Sequence, residues 1–187
     1  MEAALKIFAR DGFDGASLLR IAEAANVAHP LIHYHFGSKD NLWRQTVEFA
    51  LRDLIANAKV IDTASRGLSP VDRLRVLIQA FTHVAARYPD HFGLIMTEAR
   101  SETERLSWLR ENYAAPFLDH LKGILKAAQE AKQIREFPLD HLSFVLMGAA
   151  QLYFTLNFTL PKDQDMDRLA DQHAQLVMDI FLNGASA

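Results

Sequence analysis

The amino-acid sequence predicts an all-α protein. Apolar residues recur at intervals of three and four along nearly every long segment, and no segment alternates apolar and polar residues as a strand would. Glycine, asparagine and serine stand where helices would end or begin. The chain has 187 residues, of which 50% are hydrophobic. This is enough for a single domain with one substantial core, or for a small domain followed by a larger one.

Four helices are predicted in the N-terminal part. They cover residues 1–11, 18–25, 29–36 and 39–60. Gly12 and Asn26 end the first two, because both residue types enter the left-handed backbone region at low cost. Ser17 is a good N-cap for the second helix, and Pro30 fits the first turn of the third. Gly37 ends the third helix, and the serine after it caps the fourth.

The remainder of the chain also predicts helices, after a linker at 62–70. They cover residues 71–87, 90–100, 103–132, 138–158 and 166–183. The Tyr88-Pro89 pair ends the first of these, and Pro116 should kink the long third one. The fourth is apolar nearly all round, so we expect it to be buried on most sides.

The composition narrows the class of protein. Cysteine is absent, which excludes disulfides and thiolate metal sites. No apolar run approaches the roughly 18 residues of a membrane span, and residues 1–6 lack the pattern of a secretory signal. We therefore expect a soluble, cytoplasmic protein without a membrane partner. The net charge of −3 argues against indiscriminate coating of nucleic acid, but residues 1–52 carry balanced charge and could read DNA.

The segment NVAHPLIHYHFGSKDNL, residues 26–42, has the layout of a helix-turn-helix, in which a short helix follows another after a tight turn. A helix of eight residues is only about 12 Å long and cannot stabilise itself. We expect Val27, Ile32 and Phe36 to pack inward, while His29 and Tyr34 face outward. Imidazole and phenol groups can hydrogen-bond phosphate oxygens and base edges without adding charge.

Residues 3–42 resemble the N-terminal domain of the tetracycline-repressor (TetR) family of bacterial transcription regulators. The matching segments are Ala3-Ala4-Leu5, Phe8-Ala9, Gly12-Phe13, Ile21-Ala22 with Ala25, Val27, Tyr34-His35-Phe36, and Ser38-Lys39 with Leu42. The resemblance implies a helix-turn-helix DNA-binding domain at 1–41, with an incomplete N-terminus that lacks a short, often basic arm. It implies a helical effector-binding and dimerisation domain at 42–187.

The resemblance also implies a DNA-contacting set within the first domain. These residues are Ser17, His29, Pro30, Leu31, His33, Tyr34, His35 and Lys39. The family's lysine at the position of Lys39 contacts phosphate, and the first turn of a helix favours an anion. Ser17 is first of all a helix cap, with a phosphate contact as a second role. For His35, a packing role and a DNA contact are equally favoured.

Several positions depart from the family pattern. Asn26 and Ala28 stand where the family usually has glycine and a serine or threonine. Leu31-Ile32-His33 replaces the common Thr-Leu-Tyr, so an apolar side chain that could meet a thymine methyl takes the place of a hydroxyl. We therefore expect an unusual base sequence to be read.

The resemblance implies a homodimer that binds palindromic double-stranded DNA. It also implies that a small-molecule effector of unidentified class releases the protein from the DNA, so that the protein acts as a repressor. The candidate effector residues are Phe81, His83, Arg87, Met96, Glu98, Trp108, Tyr113, Phe117, Gln151, Phe154 and Asn157. The candidate dimer residues are Phe144, Met147, Gln151, Leu152, Phe158, His173, Leu176, Val177, Ile180 and Phe181, some of which must fill the core instead. No cofactor is expected.

Three other interpretations compete. His29 and His33 are four residues apart, as in some zinc helices, but no third ligand is evident nearby, so no metal is expected. An enzyme could use His83 with Glu98, or Glu98 with Arg100, yet neither pair has a recognised catalytic spacing, and we expect no enzyme. The alternative from another class is a helical interaction adaptor that has lost specific DNA binding. A gel shift with an operator-like palindrome separates it from a regulator.

Overall fold

The computed structural model describes residues 1–100, 102–156 and 165–185, with side chains to residue 182. Those residues form helices and connecting segments without any strand, so the predicted all-α class is confirmed. The helices are α1 (Glu2–Gly15), α2 (Leu18–Ala24), α3 (His29–Phe36), α4 (Lys39–Ser65), α5 (Pro70–Arg87), α6 (Pro89–Glu98), α7 (Glu104–Leu109), α8 (Ala115–Glu130), α9 (Leu139–Thr155) and α10 (Met166–Ala185). Within this part of the chain, no helix combines the length and apolar character needed to cross a bilayer.

The chain forms two compact units. The N-terminal unit consists of Met1–Ile55 and Asp90–Leu109, and the C-terminal unit consists of Ala56–Pro89 and Arg110–Ala187. The division expected from the sequence, between residues 41 and 42, falls inside α4. The N-terminal unit therefore extends past the helix-turn-helix and includes α7 and most of α6.

The local signals in residues 17–38 act as the sequence predicts, but the first helix does not end at Gly12. Gly12 has φ 69° and kinks α1, which continues to Gly15, and Asn26 has φ 54° after Ala25, the C-cap of α2. The Ser17 hydroxyl accepts a hydrogen bond from the Arg20 amide at 3.1 Å, which is the predicted N-cap. Gly37 has φ 69° and ends α3 at the predicted residue.

Two helices of the middle region differ from prediction. The helix α4 continues to Ser65, so the expected linker shrinks, and the Ser69 hydroxyl caps α5 by accepting from the Asp72 amide. The long helix expected at 103–132 is divided by a π-helical turn at Arg110–Ala114. Pro116 explains this turn. Its backbone nitrogen carries no hydrogen to donate to the carbonyl four residues earlier, and its ring clashes with that carbonyl. A wider turn relieves the clash.

The N-terminal unit buries a core to which the first four helices, α6 and α7 all contribute. Its most enclosed large side chains are Phe8, Ile21, Leu42, Trp43, Val47, Leu94 and Leu109. The helix α6 lies close to α1 at Gly93, where a Cβ atom would come within 3.4 Å of the Ala9 Cβ. The two helices therefore pack closely at this point.

The C-terminal unit is organised around α5, which packs against α8, α9 and α10. Its core cluster contains Leu74, Ile78, Leu121, Ile124, Leu125, Ala128, Ile134, Leu142, Leu146, Ala150, Val177 and Met178. One face of α9 is buried there, but the expectation that α9 is buried on most sides is wrong within the single chain. Phe144 and Val145 on that helix are 63% and 64% exposed.

The glycine that ends α3 predicts a stability difference that can be measured. Gly37→Ala should lower the free energy of unfolding by about 1–2 kcal/mol, because an alanine with positive φ brings its Cβ too close to the carbonyl. Gly123→Ala is the matched control. It lies inside α8 with open space at the Cβ position, and it should raise the same free energy by about 0.5–1 kcal/mol. Urea denaturation followed by circular dichroism measures both, and equal signs for the two variants would contradict this account.

Candidate nucleic-acid interface

The helix α3 displays nearly all of its side chains to solvent. Exposed residues on it are His29, Pro30, Leu31, His33, Tyr34 and His35. Tyr34 is 83% exposed, whereas Ile32 is only 5% exposed and anchors the helix. With Ile32 as its buried anchor, α3 uses little of its surface for packing and leaves the rest open to solvent.

The packing of the turn before α3 differs from expectation. Val27, expected to point inward, is 40% exposed, and Phe36 is half-buried. The reason lies in the backbone: the Val27 amide donates to the Ala22 carbonyl at 3.0 Å, after the left-handed Asn26. This hydrogen bond closes the end of α2 and leaves the Val27 side chain outside the core. Inward packing of α3 therefore depends mainly on Ile32.

Ser17 and Lys39 lie at the starts of the helices on either side of α3. Ser17 is half-buried and acts as the N-cap of α2. The Lys39 ammonium lies 4.6 Å from the centre of the Phe13 ring and donates to the Asp14 carbonyl at 3.4 Å. Burial lowers the pKa of Lys39; the Asp14 carboxylate opposes this change, and the Arg105 guanidinium adds to it.

An ion-pair cluster joins α1 to α2. Arg10 and Arg20 both reach the Asp11 carboxylate, at 2.7 and 2.8 Å. The hydrogen bond from Arg10 is the main reason that the pKa of Asp11 falls to about 2, against the opposing effect of burial. The carboxylate therefore stays charged at neutral pH and neutralises part of the positive charge beside the turn.

Three of the candidate effector residues lie in the N-terminal unit, on α6 and α7. Glu98 is buried, accepts a hydrogen bond from the Thr103 hydroxyl, and pairs with the Arg105 Nε at 3.3 Å. Trp108 packs against Trp43 with ring centres 6.0 Å apart. Met96, the third, is half-buried. Glu98 and Trp108 thus have partners inside the same unit as α3.

The other candidates lie in the C-terminal unit, and some come together there. Phe81 on α5 stacks on Phe117 on α8, with ring centres 5.4 Å apart. The ring of His83 lies 2.7 Å from a carboxylate oxygen of Asp171, and Arg87 pairs with Asp167 at 3.3 Å. The two polar candidates therefore link α5 to α10 rather than point toward the stacked rings.

The last group of candidates belongs to α9 and the π-helical turn. Phe154 is fully buried and meets the His173 ring, with centres 5.2 Å apart. His173 also lies 2.7 Å from the Ala149 carbonyl, so α9 and α10 are joined there. Gln151 and Tyr113 are half-buried, and Asn157 lies outside the described residues.

Two residues that sequence reasoning missed have notable surroundings. Thr82 is fully buried on α5, and among the described residues its hydroxyl has no hydrogen-bond partner. A hydroxyl within the apolar stripe of α5, four residues after Ile78, was a usable sequence signal for it. Arg105 lies 3.5 Å from the centre of the Phe13 ring, and nothing in the local pattern around it indicates that contact.

The described residues contain no group of three or more histidine and carboxylate side chains arranged to hold a metal ion. His29 and His33 are both exposed on α3.

Comparison with known proteins agrees with this architecture. A family profile described as bacterial regulatory proteins of the tetR family matches residues 1–46, and one described as the tetracyclin repressor-like C-terminal domain matches residues 70–180. The chain belongs to the TetR family. Its members are DNA-binding transcriptional regulators, and the resemblance seen in residues 3–42 is confirmed.

One curated relative matches nearly the whole chain and another matches less than half of it. The transcriptional repressor NicS of Pseudomonas putida is 25% identical over 98% of this chain and 89% of its own length. The regulator BetI of Burkholderia ambifaria is 32% identical over 80 residues, which is 43% of this chain and 41% of BetI.

Solved TetR-like structures share the fold. The ketosteroid transcriptional regulator KstR2 of Mycobacterium tuberculosis aligns with a TM-score of 0.79 at 18% identity, over 100% of this chain and 92% of KstR2. AibR, solved with isovaleryl coenzyme A and operator DNA, aligns with a TM-score of 0.76 at 19% identity, over 97% of each chain.

The buried carboxylate of this TetR protein predicts a stability effect. Glu98→Ala should lower the free energy of unfolding by about 2 kcal/mol, because Arg105 loses its partner in a mostly buried position. Glu130→Ala is the control, since its pair with Lys126 at 3.8 Å is exposed and should contribute almost nothing. Urea denaturation of the two variants measures the difference, and equal losses would contradict a structural role for Glu98.

Proposed function

We propose that the protein is a repressor that binds a palindromic DNA operator as a homodimer and leaves it when a small molecule binds. The observation that carries the DNA-binding site is α3 itself: one buried anchor, Ile32, and an outward face of imidazole, phenol and apolar groups. Repressor action is supported by the relation to NicS. Such a protein acts on the chromosome, in the bacterial cytoplasm.

In this proposal α3 enters the major groove. His29, His33 and Tyr34 offer hydrogen-bond donors and acceptors to base edges and phosphates, and Leu31, 44% exposed, offers an apolar contact to a thymine methyl. The helix carries no lysine, arginine or carboxylate. Its own contribution to affinity is therefore less dependent on salt than that of charged residues.

The proposed phosphate contacts lie beside α3. Lys39 supplies positive charge in the first turn of α4, where unpaired backbone amides also favour an anion. Ser17, Pro30 and His35 complete the proposed interface, within residues 1–41. We assign residues 42–187 to effector binding and dimerisation, with residues 90–109 also supporting the DNA-binding part by packing.

Two substitutions in this interface test the proposal. Tyr34→Ala and Lys39→Ala should each weaken binding to a palindrome selected from a random library by about tenfold, the first through a lost groove contact and the second through a lost phosphate contact. Lys39→Ala should also reduce the slope of log affinity against log salt by about one. Gel shifts over a range of salt measure both effects.

Lys126→Ala is the control, because it removes the same charge from an exposed position on α8 and should leave the salt slope unchanged. Parent-like binding by both interface variants would mean that this surface is assigned wrongly. Failure of the parent to bind any selected duplex would favour the adaptor over the regulator.

The proposed dimer interface is the uncovered apolar face of α9 and α10. Its members are Phe144, Val145, Leu152, Leu176 and Ile180, between 37% and 66% exposed. An apolar surface shared by two neighbouring helices is typical of an interface rather than of a solvated face. Val177 and Met147, in contrast, belong to the core of the single chain or pack against it.

Charge on that face should separate the subunits. Phe144→Asp and Ile180→Asp each place a carboxylate where the partner would bury it, so we expect monomers by sedimentation at micromolar concentration. Val60→Asp is the matched control, because Val60 is 68% exposed on α4, outside the proposed face. A parent chain that sediments as a monomer, or variants that stay dimeric, would contradict the assignment.

The effector site that we propose lies in the C-terminal unit, beside α5. Phe81, Phe117 and half-buried Tyr113 are aromatic residues suited to an apolar ligand. The Thr82 hydroxyl, which has no hydrogen-bond partner in the described part of the chain, offers a bond to one polar atom. His83 and Arg87 have carboxylate partners on α10. A ligand that recruits them must compete with those partners.

A further inference from the structure

The ring of Phe13 lies next to two cations from distant parts of the chain. The Arg105 guanidinium carbon is 3.5 Å from the ring centre, and the Lys39 ammonium is 4.6 Å from it. Both distances are within the range of about 6 Å over which an aromatic face attracts a cation. All three residues belong to the N-terminal unit. Two like charges thus share one attractive surface.

Arg105 is fixed by contacts on its other side. Its Nε lies 3.3 Å from a carboxylate oxygen of Glu98, and the Glu98 side chain is only 3% exposed. The Thr103 hydroxyl donates to the other oxygen of Glu98 and accepts from the Leu106 amide at 3.0 Å, so it also caps α7. The Arg105 side chain is itself 16% exposed. It is therefore a poor candidate for a direct phosphate contact and a good one for a fixed support.

Lys39 is held less firmly than Arg105. Apart from the Phe13 ring, its ammonium has a hydrogen bond of 3.4 Å to the Asp14 carbonyl, which is near the outer limit for such a bond. Repulsion from Arg105 disfavours a central position for the ammonium above the ring. The same repulsion favours positions nearer the Asp14 carbonyl and the surrounding solvent.

We propose that Arg105 is a positioning residue for Lys39, and that it directs the lysine toward a DNA phosphate by occupying the Phe13 ring. The proposal rests on the proposed function, in which Lys39 makes that phosphate contact. It assigns to α7 a part in DNA affinity, although α7 lies outside the helix-turn-helix. Arg105 acts through Lys39 and not by touching DNA.

A double-mutant cycle tests this role. Arg105→Gln should weaken binding to a short random-sequence duplex about two- to fivefold in the parent, as expected for one lost cation–aromatic arrangement. In a Lys39→Gln background the same change should have no further effect, because the residue it positions is gone. Fluorescence anisotropy at low salt measures all four proteins.

Arg52→Gln is the matched control. It removes an arginine that lies 6.0 Å from a different ring, Phe49, in the same unit. Its effect should be the same in both backgrounds. If Arg105→Gln is additive with Lys39→Gln in the same way, Arg105 acts by its own charge and the positioning role is overturned.

A second measurement needs no DNA. The pKa of Lys39, followed by NMR of its side-chain carbons, should rise in Arg105→Gln, because one of the charges that lowers it is removed. An unchanged pKa would overturn the proposal. If the parent binds no duplex while the pKa rises, the DNA-binding function fails and the contact between these residues stands.

Phe13→Leu serves if Arg105→Gln unfolds the protein, which circular dichroism would reveal. It removes the shared aromatic surface and keeps an apolar side chain of similar size. Affinity equal to or above that of the parent is expected, because without the ring Lys39 has no aromatic face to rest on and needs no Arg105 to keep it away. A two- to fivefold loss of affinity in Phe13→Leu would overturn the proposal.

Discussion

Burial of Ile32 is the contact on which the presentation of α3 depends. A helix of eight residues lacks the length to be stable in water, so its conformation must come from packing and from its ends. Ile32 is 5% exposed, while the half-buried Phe36 is the only other residue of α3 that is not open to solvent. Because so little of α3 is used for packing, nearly all of its surface is left for recognition.

The residues at the two ends of α3 help to fix its position, because its packing surface is small. Asn26 and Gly37 adopt positive φ on either side of it, so the chain turns sharply before and after the helix. Ala28 offers no side-chain cap, and Pro30 instead restricts the first turn. The helix α3 thus lacks a side-chain cap at Ala28 and still begins at His29, the residue predicted from the sequence.

These local features explain which parts of the fold were predictable. The bounds of α3 and the cap at Ser17 follow from single residues with strong backbone preferences, and the structure agrees with them. The inclusion of residues 90–109 in the N-terminal unit was not predictable in this way. It depends on contacts such as Arg105 with Phe13, which join residues far apart in sequence and leave no periodic signal. The same holds for α9: because apolar residues occur on nearly all of its faces, its hydrophobicity does not predict which face packs against the core.

A polar side chain on an apolar helix indicates a ligand site only if it has no partner within the protein itself. Glu98 and His83 both drew attention as polar residues on apolar helices, and both have counterparts in this chain, Arg105 and Asp171. A polar group that already has a partner in the chain needs no ligand to explain it. Thr82 is the informative case, since its buried hydroxyl has no partner among the described residues and leaving it unsatisfied costs about 1–3 kcal/mol. A ligand atom or a water molecule that bonds this hydroxyl would recover that cost, which is why Thr82 belongs to the proposed effector site and the paired residues do not need to.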